Sequence, residues 1–274
     1  MRILVSNDDG YKAAGLHALA RVMARFGEVT VVAPKYHQSA VSTAVSLGVK
    51  QLAYRELPEE GPGHWSYLDA TPASCVKFGL QFKYEHRNPD LVVGGVNHGS
   101  NASTGSNYSA TMGVVEEGAI NGIKAIGVSL NTHKSEADFS AVEALLPEII
   151  RFLLEHWPDR KGIYYNINFP NLPKDEIKGV RFARQGAGYW VKEFEAWNEE
   201  RLGQLGLTDI FLWQQQRVQL EEGETSFFMK GDFVNADEDS AQADHLLLKE
   251  GWITIVPCQA DPTDYEELER LRAL

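Results

Sequence analysis

The chain is short of cysteine and of positive charge, and each shortage closes off a class of protein. Two cysteines among 274 residues, Cys75 and Cys258, cannot build a disulfide framework or a thiolate zinc site. Cys75 falls in a helical stretch and Cys258 at a strand end, and both read as small buried hydrophobes. Lys and Arg number 26 against 38 Asp and Glu, a net charge of −12. No basic face is implied, so long nucleic acids and anionic membranes are poor partners. No apolar run reaches the roughly 20 residues of a membrane span, and Met1-Arg2 leads straight into a strand with no signal peptide. The expectation is a soluble, cytoplasmic protein.

Two phosphate-site motifs are also missing. No G-x-G-x-x-G follows the first strand, where the chain reads NDDGYKAAG, and there is no P-loop lysine. The spacing of a phosphatase that works through an aspartyl-phosphate would put Asn7 in the nucleophile's place. A neutral amide cannot attack phosphorus.

What is present begins with 43% hydrophobic residues, enough for one large core or two modest ones. Residues 2–6 and 29–34 read as apolar strands, with a helix between them that repeats Leu16, Leu19, Ala20, Met23 and Phe26 on one face. TPASCVKFGLQF opens with a Thr-Pro helix-entry signal. Strands then follow at 89–97, 125–130 and 163–170, separated by helices over 109–123 and 136–156. Strands without polar alternation, spaced by amphipathic helices, predict a parallel sheet covered on both faces. The fold class expected is α/β, a Rossmann-like, doubly wound, mostly parallel sheet. One domain spans 1–274: a core over 1–184, an arm of hairpins over 185–245, and a terminal strand and helix over 246–274. The arm mixes aromatics, charges and glycines without helical period. Its core is too small to stand alone, so it would pack on its own domain or on a second subunit.

Ligands of such sheets sit beyond the carboxyl ends of the strands. Asp8 and Asp9 stand at one such end, followed by Gly10, which lets both carboxylates aim at one point. Like charges so close raise each other's proton affinity unless something positive lies between them. PKYHQSAVSTAVSL follows the second strand and carries Ser39, Ser42, Thr43 and Ser46. GGVNHGSNASTGSNYSAT follows the strand at 89–97 and carries Asn97, His98 and Asn101. In DATPASC, Asp69 and Thr71 read as helix caps. Asp8, Asp9, Ser39 and Asn97 offer the oxygen ligands that hard dications take, which points to Mg²⁺ or Mn²⁺ rather than zinc. Four protein ligands on an octahedral ion would leave about two positions for water and substrate. The Gly- and Ser-rich run into a helix starting near Ser109 would offer N–H groups to a phosphate, although such loops are common without that purpose. Six histidines, including His133, stand singly in ordinary contexts, whereas His37 and His98 lie in the candidate loops.

RILVSNDDG, VVAPKYHQSA, TPASCV, PDLVVGGVNHGSN, YSATMGVVEEG, YNINFPNLP and DHLLLKEGWITIVP occur in order along nearly the whole chain. Together they resemble the SurE-type 5′/3′-nucleotidases, the survival-protein nucleotidases. The resemblance implies a metal-dependent phosphomonoesterase acting on nucleoside 5′-monophosphates, and 3′-monophosphates as well. It carries one divalent cation per subunit onto Asp8, Asp9, Ser39 and Asn97, with Asp8 and Asp9 catalytic. Phosphate contacts fall on Asn101, Ser109 and Thr111. It implies C-terminal hairpins exchanged in a homodimer or homotetramer. Ala40 and Ala110 stand where the family usually has Gly, Gly94 where it often has Ser, and Ala243 in place of a common Thr. A different reading keeps the fold but makes the chain a catalytically weak sensor that holds a nucleotide or metal.

Overall fold

Adjacent residues of the first strand serve opposite cores, which is why its sequence shows no polar alternation. The computed structural model describes residues 1–274 except 49, 59, 133–135, 206–218 and 238–241. In Arg2–Ser6 (β1), Ile3 and Val5 pack with one buried cluster and Leu4 with another. The first cluster lies under helices α1 (Ala14–Met23) and α4 (Ser140–Glu155), through Leu16, Leu19, Leu146 and Ile150. The second lies under α2 (Pro72–Phe78) and α3 (Ala110–Ile120), through Val76, Val114 and Val115. A sheet strand with helices on both faces has no solvent side.

The remaining strands of the core are β2 (Glu28–Pro34), β3 (Tyr54–Glu56), β4 (His64–Leu68), β5 (Leu91–His98), β6 (Lys124–Asn131), β7 (Ile163–Pro170) and β8 (Val180–Phe182). The arm contributes β9 (Gly188–Val191), β10 (Phe194–Ala196), helix α5 (Glu199–Gln204), β11 (Phe227–Met229) and β12 (Asp232–Asn235). Helix α6 (Asp244–Lys249), β13 (Ile253–Gln259) and α7 (Tyr265–Arg272) close the chain. The main sheet runs β3-β4-β2-β1-β5-β6-β7-β13-β8. Its six central strands, β4 to β7, are parallel; β3 and β13 run against β4 and β7. Ile3 pairs with Val29 of β2 on one side and with Leu91 of β5 on the other. From β1 the chain first winds one way, to β2 and β4. It then crosses to β5 and winds the other way, to β6 and β7. The fold is therefore α/β with a doubly wound, mostly parallel sheet, as the sequence predicts.

Three points differ from the sequence reading. The sheet has three further strands, β3, β4 and β8, where no strand is expected; HWSYL of β4 is too mixed in polarity to announce itself. The stretch after Thr71 is helical only to Phe78 and then widens to a π-helical turn over Gly79–Lys83. Thr71 is the N-cap residue of that helix, as expected, but its hydroxyl pairs with Ser74 Oγ at 2.9 Å and not with a backbone N–H; Asp69 does not cap, and accepts from Lys50 Nζ at 2.7 Å. In the arm, β9 pairs antiparallel with β12 and β10 with β11. The parts of the arm reading that fall on 206–218 and 238–241, and His133, lie outside the described residues. Cys75 is buried and Cys258 half-buried, both as free thiols. Burial pushes both thiols up, so neither is a reactive thiolate.

Candidate active site

The winding reverses between β1 and β5, so the carboxyl edge opens there and the chain leaves both strands at the same crevice. β1 delivers Asp8 and Asp9, and β5 delivers Asn97 and His98. Gly10 follows with φ +95°, a left-handed turn that glycine adopts without penalty, and Asn7 Nδ2 donates to Gly10 O at 3.0 Å to hold it. In β5 the pairing with β6 slips between Gly94 and Asn97. Such a bulge re-aims the side chains that follow it.

Both acids are buried. The Thr111 hydroxyl, on the first turn of α3, donates to Asp8 Oδ1 at 2.5 Å and stands 3.5 Å from Asn97 Oδ1. Asn97 Nδ2 donates to Gly99 O at 2.9 Å, which turns its oxygen toward Thr111. The other acid is held differently. His98 N donates to Asp9 Oδ2 at 3.2 Å, His37 Nδ1 lies 3.3 Å from Asp9 Oδ1, and His98 Nδ1 lies 3.7 Å from Oδ2. Burial, then the charge of Asp9, push the Asp8 carboxyl up to about 7. Burial would raise Asp9 too, but the hydrogen bonds and charge of His37 and His98 outweigh it and hold that carboxyl low. Burial would depress the His37 imidazole; contact with Asp9 overrides this and raises it.

The remaining expected residues are placed less directly. Gln38 N donates to Asp8 O at 2.7 Å, tying the loop after β2 to the end of β1. Ser39, next along that loop, is exposed and makes no hydrogen bond to a described residue. Ser109 is the N-cap of α3, its Oγ accepting from Met112 N at 3.1 Å. Asn101 is buried in an amide network: its Nδ2 donates to Ser129 Oγ at 2.8 Å, its N to Asn168 Oδ1 at 2.8 Å, and its carbonyl accepts from Asn166 Nδ2 at 2.8 Å. Asp8, Asn97 and Thr111 are therefore in direct contact, Asp9 adjoins them, Ser39 is at the rim, and Asn101 and Ser109 are engaged with protein groups.

The donor chemistry fits a hard dication. No Lys or Arg pairs with either acid among the described residues, so two neighbouring buried carboxylates lack a permanent positive partner. Nor do three or more His, Cys, Asp or Glu gather into a metal cage among those residues. A cation here would draw on Asp8 and Asp9 and on neutral oxygens, the ligand set of Mg²⁺ or Mn²⁺ rather than of zinc.

Sequence reasoning left His37 and His98 open and missed Asn166, Asn168 and Asp244. The two asparagines had a signal: polar residues at i and i+2 within the apolar run IYYNINFP share one strand face. Asp244 had none.

The model of the Survival protein SurE family matches residues 3–192. A 5′-nucleotidase SurE of Cytophaga hutchinsonii is 36% identical over 98% of this chain and 95% of its own length. One of Phocaeicola vulgatus is 35% identical with the same coverage. Among solved structures, the SurE protein of Aquifex aeolicus superposes with a TM-score of 0.77 at 25% identity, covering 100% of this chain and 99% of its own. Matching over nearly its whole length, the chain belongs to the Survival protein SurE family.

Proposed function

We propose that this protein is a phosphomonoesterase that hydrolyses nucleoside 5′-monophosphates, and 3′-monophosphates too, in the cytoplasm, using one divalent cation, Mg²⁺ or Mn²⁺, per subunit. Relatives at 33–36% identity over nearly the full chain carry the name 5′-nucleotidase. The observation that carries the reading is the buried Asp8–Asp9 pair at the winding reversal, with Asn97 and Thr111 oxygens beside it.

In this reading Asp8, Asp9, Ser39 and Asn97 hold the cation, which supplies positive charge to the phosphoryl oxygens and acidifies water. Asp8 takes a proton from the attacking water. Its Oδ1 is oriented by Thr111, while Oδ2 accepts from no other described residue. The two imidazoles at Asp9 fix that carboxylate's position. At the first turn of α3, backbone N–H groups without intrahelical partners, together with Ser109, Thr111 and Asn101, meet the phosphate. The water oxygen bonds to phosphorus as the bond to the nucleoside oxygen breaks, and that departing oxygen takes up a proton, balancing the one passed to Asp8, with no covalent enzyme intermediate. Phosphate release from AMP, with added Mn²⁺ or Mg²⁺ and with chelator, tests this. Asp8→Ala and Asp9→Asn should abolish turnover; a chelator-insensitive wild type, or one that binds AMP and releases nothing, would sink the reading.

The arm is the candidate seat of self-association. Phe194 pairs with Met229 and Ala196 with Phe227 across β10 and β11, which puts these side chains on one face. Phe194, Phe227 and Met229 are 58–68% exposed, an apolar face that a second subunit would cover in a homodimer or homotetramer. Light scattering of wild type against Phe194→Ser tests it: a variant of unchanged mass argues against this face.

A further inference from the structure

Between Asn97 and Thr111 the chain crosses from β5 to α3, and a fully buried carboxylate holds the crossing from behind. Ser103 has φ +54°, a left-handed conformation that a non-glycine residue adopts only at a cost, so its surroundings must enforce it. Ser103 N lies 3.0 Å from both oxygens of Asp244, and Ser103 Oγ donates to Gly186 O at 3.0 Å. Thr104 Oγ1 donates to Gly188 O at 3.1 Å. Asp244 Oδ1 also accepts from Gly186 N at 2.9 Å and His245 N at 2.7 Å. No Lys or Arg among the described residues pairs with Asp244, which is 0% exposed; backbone N–H groups satisfy it, and the His245 imidazole Nδ1 lies 3.7 Å from Oδ1.

One side chain thus joins three segments far apart in sequence: the crossing at Ser103, the arm's entry at Gly186, and the start of α6. Gly188 already belongs to β9, so the Thr104 bond lands on the arm itself. We propose that Asp244 is a positioning residue for the reaction, holding residues 103–109 so that the first turn of α3 faces the acids, and coupling that placement to the seating of the arm. This rests on the reading of 101–111 as the segment that meets the substrate's phosphate. Asp244 touches neither Asp8 nor Asp9, so it should govern phosphate binding without governing the cation.

The test uses the full-length protein with four readouts: KM and kcat for AMP, Mn²⁺ affinity and AMP affinity by calorimetry, and amide hydrogen exchange over 103–107 and 186–188. Asp244→Ala should raise KM at least about tenfold while Mn²⁺ affinity stays within about twofold of wild type, and protection should fall at both segments together. Asp244→Asn keeps an oxygen acceptor and should return KM to within about threefold of wild type. Thr104→Val cuts only the bond to β9 and should raise KM by about two- to fivefold, a readout available even if Asp244→Ala does not fold. Wild-type KM in Asp244→Ala or in Thr104→Val overturns the proposal, as does equal loss of Mn²⁺ and AMP affinity. If wild type releases no phosphate, the nucleotidase reading fails. The clamp is then judged by AMP affinity and exchange alone.

Discussion

Thr111 donates its hydroxyl proton to Asp8 Oδ1 at 2.5 Å, joining the first turn of α3 to the end of β1. The bond lets a helix start and a strand end report on each other. Thr111→Val keeps the shape and removes the donor. It should lower kcat/KM for AMP by about 10- to 100-fold, since hydrogen bonds to charged groups contribute about 1.5–3 kcal/mol. Steady-state phosphate release measures it, and an unchanged kcat/KM would remove Thr111 from the site.

The strain on Asp8 gives a pH dependence. Without a cation, the folded chain keeps a proton on Asp8 up to about 7, whereas the unfolded chain loses it near the ordinary carboxylate value. Between those limits the native state binds Asp8's proton more tightly, so the Asp8 contribution to unfolding free energy falls as pH rises and then levels off. Asp8→Asn removes that slope. The chelator-treated variant should be more stable than wild type at pH 8 by roughly 1–3 kcal/mol. Added Mn²⁺ should raise the wild-type melting temperature and leave the variant's nearly unchanged. Urea titrations at pH 5 and pH 8 check the sign: a variant less stable at pH 8 refutes it.

Ala40, beside Ser39, has φ +59°. A left-handed alanine costs about 1–2 kcal/mol, while glycine's extra unfolded-state entropy costs about 0.5–1 kcal/mol. Ala40→Gly should therefore stabilise the protein by about 0.5–1 kcal/mol. The same change at Ala44, which is not among the positive-φ residues, should destabilise it. Thermal melts of the two variants moving in the same direction would contradict the assignment.

How much of this could be read from the letters depended on how local the cause was. β1, β5, β6 and β7 were legible because strands covered on both faces are continuous apolar runs, and Asp8, Asp9 and Asn97 because they sit at the ends of such runs. β4 was not, since His64 and Ser66 break the run although Trp65 and Leu68 are buried. The reversal of β13 against β7 was invisible: an apolar strand does not state its direction. His37 and His98 acquire a role only by meeting Asp9 across the crevice. Asp244 meets Ser103 from 141 positions away. Nothing near either residue announces the other.

The amide network behind Asn101 makes the last prediction, one of order rather than size. Asn168 Oδ1 accepts from Asn101 N at 2.8 Å and stands 3.3 Å from Ser100 Oγ, while Asn168 Nδ2 donates to Asn166 Oδ1 at 3.0 Å. Asn166 in turn donates to the Asn101 carbonyl. Asn168→Ala strands a buried N–H, which has one way to be satisfied, and should cost about 2–4 kcal/mol in urea unfolding. Asn166→Ala leaves the Asn101 N–H bonded and strands the Asn101 carbonyl, which tolerates under-satisfaction better, together with one side-chain amide hydrogen of Asn168, and should cost about 1–3 kcal/mol. Because both asparagines lie on β7 and neither touches the acids, Mn²⁺ affinity should survive both changes while KM for AMP rises in the same order as the stability loss. An Asn166→Ala variant as damaged as Asn168→Ala would mean that the network holds the loop as a unit, not through the Asn101 N–H.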